Sequence, residues 1–176
     1  LKNLTASPHT STDPAWSPDG SHIAFVSRRE GWFLQVYVMD ADGKNARRLT
    51  DITENAEHPQ WAPDGRTILF FGTRSRAIWS IGVEGASSPG ASGMDEGAFA
   101  PPLKVADKAD SSAVFASDGA VVLFLRKSAA KNAAPGSSES GSKLNTEIWM
   151  AAPDGKNAVK LNAPPGEYHF LCQLSQ

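Results

Sequence analysis

The stretch PAWSPDGSHIAF occupies Pro14–Phe25, and a near copy, PQWAPDGRTILF, occupies Pro59–Phe70. In both copies a tryptophan precedes a Pro-Asp-Gly turn, and an apolar run follows it. Proline presets φ at the second position of a type I turn, aspartate suits the third position, and glycine suits the exit. The stretch therefore predicts a tight hairpin, and its recurrence predicts a chain built from similar units.

Four features recur along the chain and define one unit. A Trp-Ser-Pro-Asp-Gly-like turn is followed by a strand (HIAFVS, TILFFG, VVLFLR), by an aromatic strand (QVYVMDADGKN, AIWSIGVEG, EIWMAAPDGKN) and by a Leu-Thr-like pair. Each unit therefore predicts four short strands, which we label a to d, and no segment has a helical period. Four-stranded units of this length are typical of β-propeller blades. The predicted fold class is all-β, with blades at about 14–50, 59–104 and 113–162 and the start of another blade at about 170–176.

The two ends of the chain predict that the propeller is partial. The opening LKNLT reads as the end of a strand d, and the closing LCQLSQ reads as the beginning of a strand a. Propellers usually close with four to eight blades. We therefore expect three complete blades plus one strand from each neighbouring blade. The ring would be completed by further blades of the same parent chain or by self-association.

Composition and charge exclude several classes of function. The net charge is −2, which gives no electrostatic case for nucleic acid or for an acidic membrane surface. No apolar run approaches the length of a membrane-spanning helix, so no membrane insertion is predicted. The single cysteine, Cys172, excludes an internal disulfide framework and a Cys-rich zinc site.

The sequence predicts no catalytic residue, no metal and no cofactor. It contains no Gly-x-Ser-x-Gly elbow, no P-loop and no Ser-His-Asp arrangement. DADG, from Asp40, resembles the start of a calcium loop, but Asp51 stands where that loop needs glutamate, so a turn is favoured. Three histidines lie before a strand a, but each lies at a different distance from its strand. This difference argues against a metal site formed by equivalent positions of the repeat. Asp13 and His58 occupy the same position of the repeat. Two interpretations of this position remain open: a turn residue, or a contributor to the mouth of the central channel of the propeller.

Strand order predicts where a binding site lies. The b–c loops and the d–a connections share one end of each blade, and the b–c loops vary most in length, whereas the d–a connections are nearly constant. Loops on a rigid scaffold usually carry recognition, and arginine and aromatic residues are enriched at interfaces. An alternative for Trp32 and Phe33 is that one of them packs on strand c of its own blade. The candidate binding residues are Arg28, Arg29, Glu30, Trp32, Phe33, Glu57, His58, Arg74 and Arg76.

The pattern PxWSPDGxxIAFxS…VYVMDADGKNARRLT resembles the TolB-type, WD-like propeller repeat, most strongly over residues 1–85. The resemblance implies a non-catalytic scaffold that binds a protein or peptide in the bacterial envelope, periplasmic or secreted. Two alternatives remain open. One is the gating propeller of a prolyl-oligopeptidase-family serine peptidase, with its catalytic domain elsewhere in the parent chain. The other is a sensor ectodomain that binds a small ligand or carbohydrate.

Overall fold

The computed structural model describes residues 3–5, 7–83, 101–129 and 144–161. The predicted start of a further blade at about 170–176 lies outside the described residues. So does most of the loop predicted between Phe124 and Trp149.

The described residues form three four-stranded antiparallel sheets, each with its strands in sequence order. Neighbouring strands of each sheet are therefore consecutive in the sequence, and the predicted all-β fold of four-stranded units is confirmed. The sheets span residues 11–48, 56–106 and 109–160. The predicted blade ranges are about 14–50, 59–104 and 113–162. The strands are β1 (Ser11–Trp16), β2 (His22–Ser27), β3 (Gln35–Asp40), β4 (Arg47–Arg48), β5 (Ala56–Trp61), β6 (Thr67–Gly72), β7 (Ala77–Gly82), β8 (Leu103–Ala106), β9 (Ala109–Phe115), β10 (Val122–Ala129), β11 (Leu144–Ala151) and β12 (Val159–Lys160).

The sheets stack face to face, and the first strand of each sheet contacts the first strand of the next. Strand β1 contacts β5, and β5 contacts β9. Neighbouring residues of the central sheet point in opposite directions: Phe70 joins a core shared with the first sheet, and Leu69 joins a core shared with the third. Both side chains are 1% exposed, so each stabilises the fold by about 2–3 kcal/mol. Burial on both faces is why these strands lack polar alternation.

The repeated Pro-Asp-Gly stretch forms the turn that its residues predict. In the first sheet, the Gly20 N–H donates to the Ser17 carbonyl over 2.9 Å, and Gly20 has a φ of 71°. The Asp19 carboxylate accepts from the Ser17 hydroxyl over 2.6 Å and from the Ser21 N–H over 3.0 Å. These hydrogen bonds favour the charged form and hold the pKa of Asp19 far below its usual range. The same turn recurs at Gly65 and Gly119, and it joins strand a to strand b in each unit.

Gly43, in the turn between β3 and β4, is expected to resist substitution more strongly than Gly20. A Cβ at Gly43 would lie 2.7 Å from the Leu4 carbonyl oxygen, whereas a Cβ at Gly20 meets nothing within 4 Å. Both glycines have positive φ, which costs an L-residue about 1–2 kcal/mol. Gly20→Ala should therefore lower the free energy of unfolding by about that amount, and Gly43→Ala by at least ~1 kcal/mol more. Denaturant melts of the two variants compare them directly. Equal losses would show that Leu4 does not pack on this turn.

Candidate protein-binding face

The b–c loops and the d–a connections lie together at one end of the sheets. The Ala56 N–H donates to the Leu34 carbonyl over 2.8 Å, and the Thr73 N–H donates to the Asn55 carbonyl over 3.1 Å. In the same way as Ala56, the Ala109 N–H at the start of the third sheet donates to a b–c loop, through the Arg76 carbonyl of the second sheet, over 2.8 Å. We call this end the loop face. It comprises residues 7–10, 28–34, 51–55, 73–76 and 107–108.

Two consecutive residues of one d–a connection position the b–c loops of two different sheets. The Glu54 carboxylate accepts from the N–H groups of Arg74 and Ser75, over 2.7 and 2.8 Å. The Asn55 side-chain carbonyl accepts from the Leu34 N–H over 3.0 Å. The first two bonds fix the turn at residues 73–76, and the third fixes the end of the loop at residues 28–34. The loop face is therefore preorganised across the boundary between the first two sheets.

A buried polar network anchors that connection to strand β3. Gln35 is 2% exposed, and its side-chain oxygen accepts from the Thr50 hydroxyl over 2.7 Å and from the Ile52 N–H over 3.2 Å. Its side-chain nitrogen donates to the carbonyls of Ile52 and Glu54, over 2.9 and 3.3 Å. The Thr50 hydroxyl also accepts from the Val36 N–H over 2.9 Å. The Leu-Thr pair of the repeat therefore supplies the hydroxyl that closes this network.

Trp32, Phe33 and Arg74 form the most prominent feature of the loop face. Trp32 is 90% exposed, the highest exposure of any large apolar side chain in the described residues. Phe33 is half-buried, and the Arg74 guanidinium carbon lies 5.7 Å from the centre of its ring. This cation–π contact joins the b–c loops of the first two sheets. We call the three residues the Trp32 platform.

Arg29 and Tyr37 form a second, buried arrangement beside the first b–c loop. The Arg29 guanidinium carbon lies 5.0 Å from the ring centres of both Phe25 and Tyr37. The Arg29 Nη2 atom and the Tyr37 hydroxyl are buried without a hydrogen-bond partner. Burial raises the pKa of Tyr37 to about 12, and the nearby Glu30 carboxylate adds to the shift. Arg29 therefore packs against Phe25 and Tyr37, whereas Glu30 is exposed and acts on Tyr37 through its charge.

Tyr37→Phe is expected to preserve or raise stability. Tyr37 is 1% exposed and its hydroxyl is unpaired, so removing that oxygen should raise the free energy of unfolding by about 1 kcal/mol. Because the folded-state pKa of about 12 exceeds the ordinary value of 10.0, the unfolded chain loses this proton first as pH rises. Wild-type stability should therefore fall between pH 10 and pH 12, and Tyr37→Phe should lose less over that interval. Thermal melts at pH 8, 10 and 11 measure both effects. A large loss at pH 8 would mean that the hydroxyl has a partner.

His58 lies on β5, the first strand of the second sheet, and is paired with Asp13. The Asp13 carboxylate accepts from the His58 N–H over 3.1 Å and lies 3.2 Å from His58 Nδ1. Asp13 and His58 have positive φ values, of 52° and 55°. Each lies at a shift in strand register, β1 against β2 for Asp13 and β5 against β6 for His58. They are therefore bulge residues that link two neighbouring first strands. Glu57 precedes His58 on the same strand and is half-buried.

Arg76 is paired within the chain, unlike Arg74 two positions earlier. Its guanidinium donates to the Asp110 carboxylate over 2.8 Å, and Lys127 contacts the other oxygen of that carboxylate at 2.9 Å. Arg28 is exposed, and its backbone N–H donates to the Thr10 carbonyl over 3.2 Å. Within the described ranges, the side chains of Arg28 and Arg74 form no ion pair.

The candidate residues thus fall into separate groups on or beside the loop face. The platform unites Trp32, Phe33 and Arg74, whereas Arg29, His58 and Arg76 each belong to another cluster. The sequence reasoning missed Gln35, Glu54 and Asn55, which position the loops. The only sequence signal was the near-constant length of the d–a connections.

Across the part of the chain that the structure describes, no three His, Cys, Asp or Glu side chains gather as metal ligands. No helix within that same part is long and apolar enough to cross a membrane.

Four-stranded antiparallel sheets that stack face to face, with their strands in sequence order, are typical of β-propeller blades. The chain belongs to the TolB beta propeller domain family, whose model matches residues 1–146. The predicted resemblance to TolB-like propellers is therefore confirmed.

Solved structures of similar fold include TolB proteins and peptidases. A putative TolB from Agrobacterium tumefaciens is 23% identical with a TM-score of 0.57, over 89% of this chain and 50% of that protein. The acylaminoacyl peptidase of Pyrococcus horikoshii is 15% identical with a TM-score of 0.62, over 93% of this chain and 26% of that protein. At these identities the likeness shows the fold alone.

One curated relative is much more similar over a short region. The uncharacterized peptidase YuxL of Bacillus subtilis is 60% identical over 42 residues, which is 24% of this chain and 6% of that protein. The chain therefore spans only a small part of this relative, and half or less of the two solved structures above.

Proposed function

We propose that this chain is a non-catalytic TolB-like propeller scaffold that binds a protein or peptide partner through its loop face, in the bacterial envelope. The observation that carries the proposal is the exposure of Trp32, 90%, on a loop whose end is held by the hydrogen bond from the Leu34 N–H to Asn55. The family gives the propeller scaffold, and the periplasmic or secreted location extends from the TolB proteins that share this fold.

The physical case rests on the cost of leaving an indole in water. A fully exposed tryptophan offers a large apolar surface at a low cost in side-chain entropy, and such residues dominate binding energy when a partner covers them. Trp32 precedes the half-buried Phe33 in the sequence, and the Arg74 guanidinium rests on that ring; aromatic residues and arginine are enriched at protein interfaces. Glu54 and Asn55 already fix the supporting backbone, so less ordering entropy is lost on binding.

A peptide selection tests the proposal. Short random peptides displayed on phage would be selected on the immobilised full chain and, in parallel, on Trp32→Ser. We expect enriched peptides on the wild-type chain that fail to bind the variant. Hydrogen exchange with an enriched peptide should show protection at residues 28–34 and 73–76. Enrichment that is equal on both proteins, or protection confined to the opposite end of the sheets, would contradict the proposal. A thermal shift with sugars but with no peptide would favour the sensor alternative.

A second candidate function is supported by the local identity to the peptidase YuxL. In this candidate the chain is the propeller of a longer serine peptidase, and its loop face contacts substrate peptide or a catalytic domain outside this sequence. The test is the sequence of the parent polypeptide around this chain. A downstream Gly-x-Ser-x-Gly segment that follows a strand would establish the peptidase, and a propeller-only parent would exclude it.

A further inference from the structure

We propose that Arg74 is the carboxylate receptor of the Trp32 platform, and that the partner segment is acidic, with an aspartate or glutamate next to its apolar anchor. This inference rests on the proposed function of the same face and adds the chemical class of the partner. It follows from the charges at this end that have no ion-pair partner among the described residues.

Most carboxylates at this end are already engaged within the chain. Asp13 pairs with His58, and Asp107 with Arg126. Asp110 is shared by two cations, and Glu54 accepts two backbone N–H groups. Glu30 lies beside Tyr37, and neither Glu30 nor Glu57 forms an ion pair with any cation of the described ranges.

Several cations, in contrast, lack a carboxylate partner among the described residues. Arg28, Arg74 and Lys108 are all exposed, and none of them forms an ion pair with a described residue. Arg74 differs from Arg28 and Lys108 because its side chain contacts an aromatic ring of the described residues. Its backbone N–H is held by Glu54 over 2.7 Å, and its guanidinium rests on Phe33 at 5.7 Å. A guanidinium that stacks on a ring keeps its N–H groups available for a carboxylate in the bidentate geometry that arginine favours.

Arg76 provides an internal comparison in the same turn. It presents the same guanidinium two residues later, but the Asp110 carboxylate occupies it at 2.8 Å. The chain thus satisfies one arginine of the turn, whereas the other has no carboxylate partner among the described residues and rests on Phe33, which follows the exposed Trp32 in the sequence. A partner carboxylate at Arg74 would make the same kind of pair across the interface.

The test extends the peptide selection described above. Enriched peptides should contain more aspartate and glutamate than the starting library. A representative peptide is then synthesised with its acidic residue and, separately, with the matching amide. Both peptides are titrated against the wild-type chain, Arg74→Gln and Arg76→Gln by fluorescence anisotropy. Arg76→Gln is the matched control because it removes the same charge from the same turn, and circular dichroism melts confirm that each variant is folded.

We expect the amide peptide to bind the wild-type chain and Arg76→Gln about tenfold more weakly than the acidic peptide, in the range of a charge-assisted hydrogen bond. On Arg74→Gln the two peptides should bind equally, and on wild type the difference should shrink at high salt. An acid preference that persists in Arg74→Gln, or peptides that need Trp32 but have no acid preference, would overturn this inference and leave the proposed function intact. The absence of any Trp32-dependent peptide would overturn both.

Discussion

Gln35→Leu should lower the free energy of unfolding by about 3 kcal/mol or more, because one buried side chain satisfies four polar groups at once. The substitution keeps a similar volume but leaves the Thr50 hydroxyl, both backbone groups of Ile52 and the Glu54 carbonyl without their partner. These groups lie in the connection that positions both b–c loops. For a chain of 176 residues, a loss of this size lowers Tm by roughly 6–12 °C.

Gln60→Leu is the matched control for this prediction. Gln60 lies on strand β5, is half-buried, and its side chain makes no hydrogen bond within the described residues. Its replacement should change the free energy of unfolding by less than about 1 kcal/mol. Urea melts of both variants, followed by circular dichroism, give the comparison. Similar small losses in the two variants would show that the Gln35 network does not anchor the loop face.

Trp32→Ser should weaken partner binding by about 30-fold or more while leaving stability unchanged. Truncating a central aromatic anchor typically costs at least ~2 kcal/mol of binding free energy. Trp32 is 90% exposed in the unbound chain, so folding buries almost none of its surface, and its removal should leave Tm within about 1 °C of wild type. The dissociation constant for a selected peptide, measured by titration calorimetry, tests the first statement, and a thermal melt tests the second.

Trp16→Ser tests whether peptide binding depends on the Trp32 platform or on any exposed indole. Trp16 is also exposed, at 59%, but it ends strand β1 at the turn end of the first sheet, away from the b–c loops. Peptide affinity should survive this substitution within about twofold. An equal loss in both variants would indicate that any exposed indole captures the peptides, and the loop-face proposal would fail.

The repeat was sufficient to predict the fold because turn chemistry and apolar runs are local. The Pro-Asp-Gly turn needs only its own residues, and Gly20 with its positive φ is found where the sequence places it. The four-strand order follows from the succession of such turns. The clustering of b–c loops with d–a connections also follows, because strands that alternate in direction must bring these segments to the same end.

The grouping of the candidate residues could not be predicted in the same way. Arg74 and Arg76 are two positions apart and chemically identical, yet one rests on Phe33 and the other pairs with Asp110. Those partners come from other sheets and lie more than 30 positions away in the sequence. No local pattern encodes such a contact. His58 was likewise grouped with the loops, but the register shift in β5 directs it toward Asp13.

The sequence by itself determined the all-β class, the four-stranded unit, the turn geometry and the end of the sheets where loops gather, because each of these depends on short-range sterics and on alternation. Only the tertiary structure decided which polar groups satisfy one another and which stay open. Glu54 and Asn55 look like ordinary connection residues in the sequence, but stacking of the first two sheets brings them within hydrogen-bond distance of two separate loops. That stacking fixes the support of the Trp32 platform and leaves Arg74 without a carboxylate partner among the described residues.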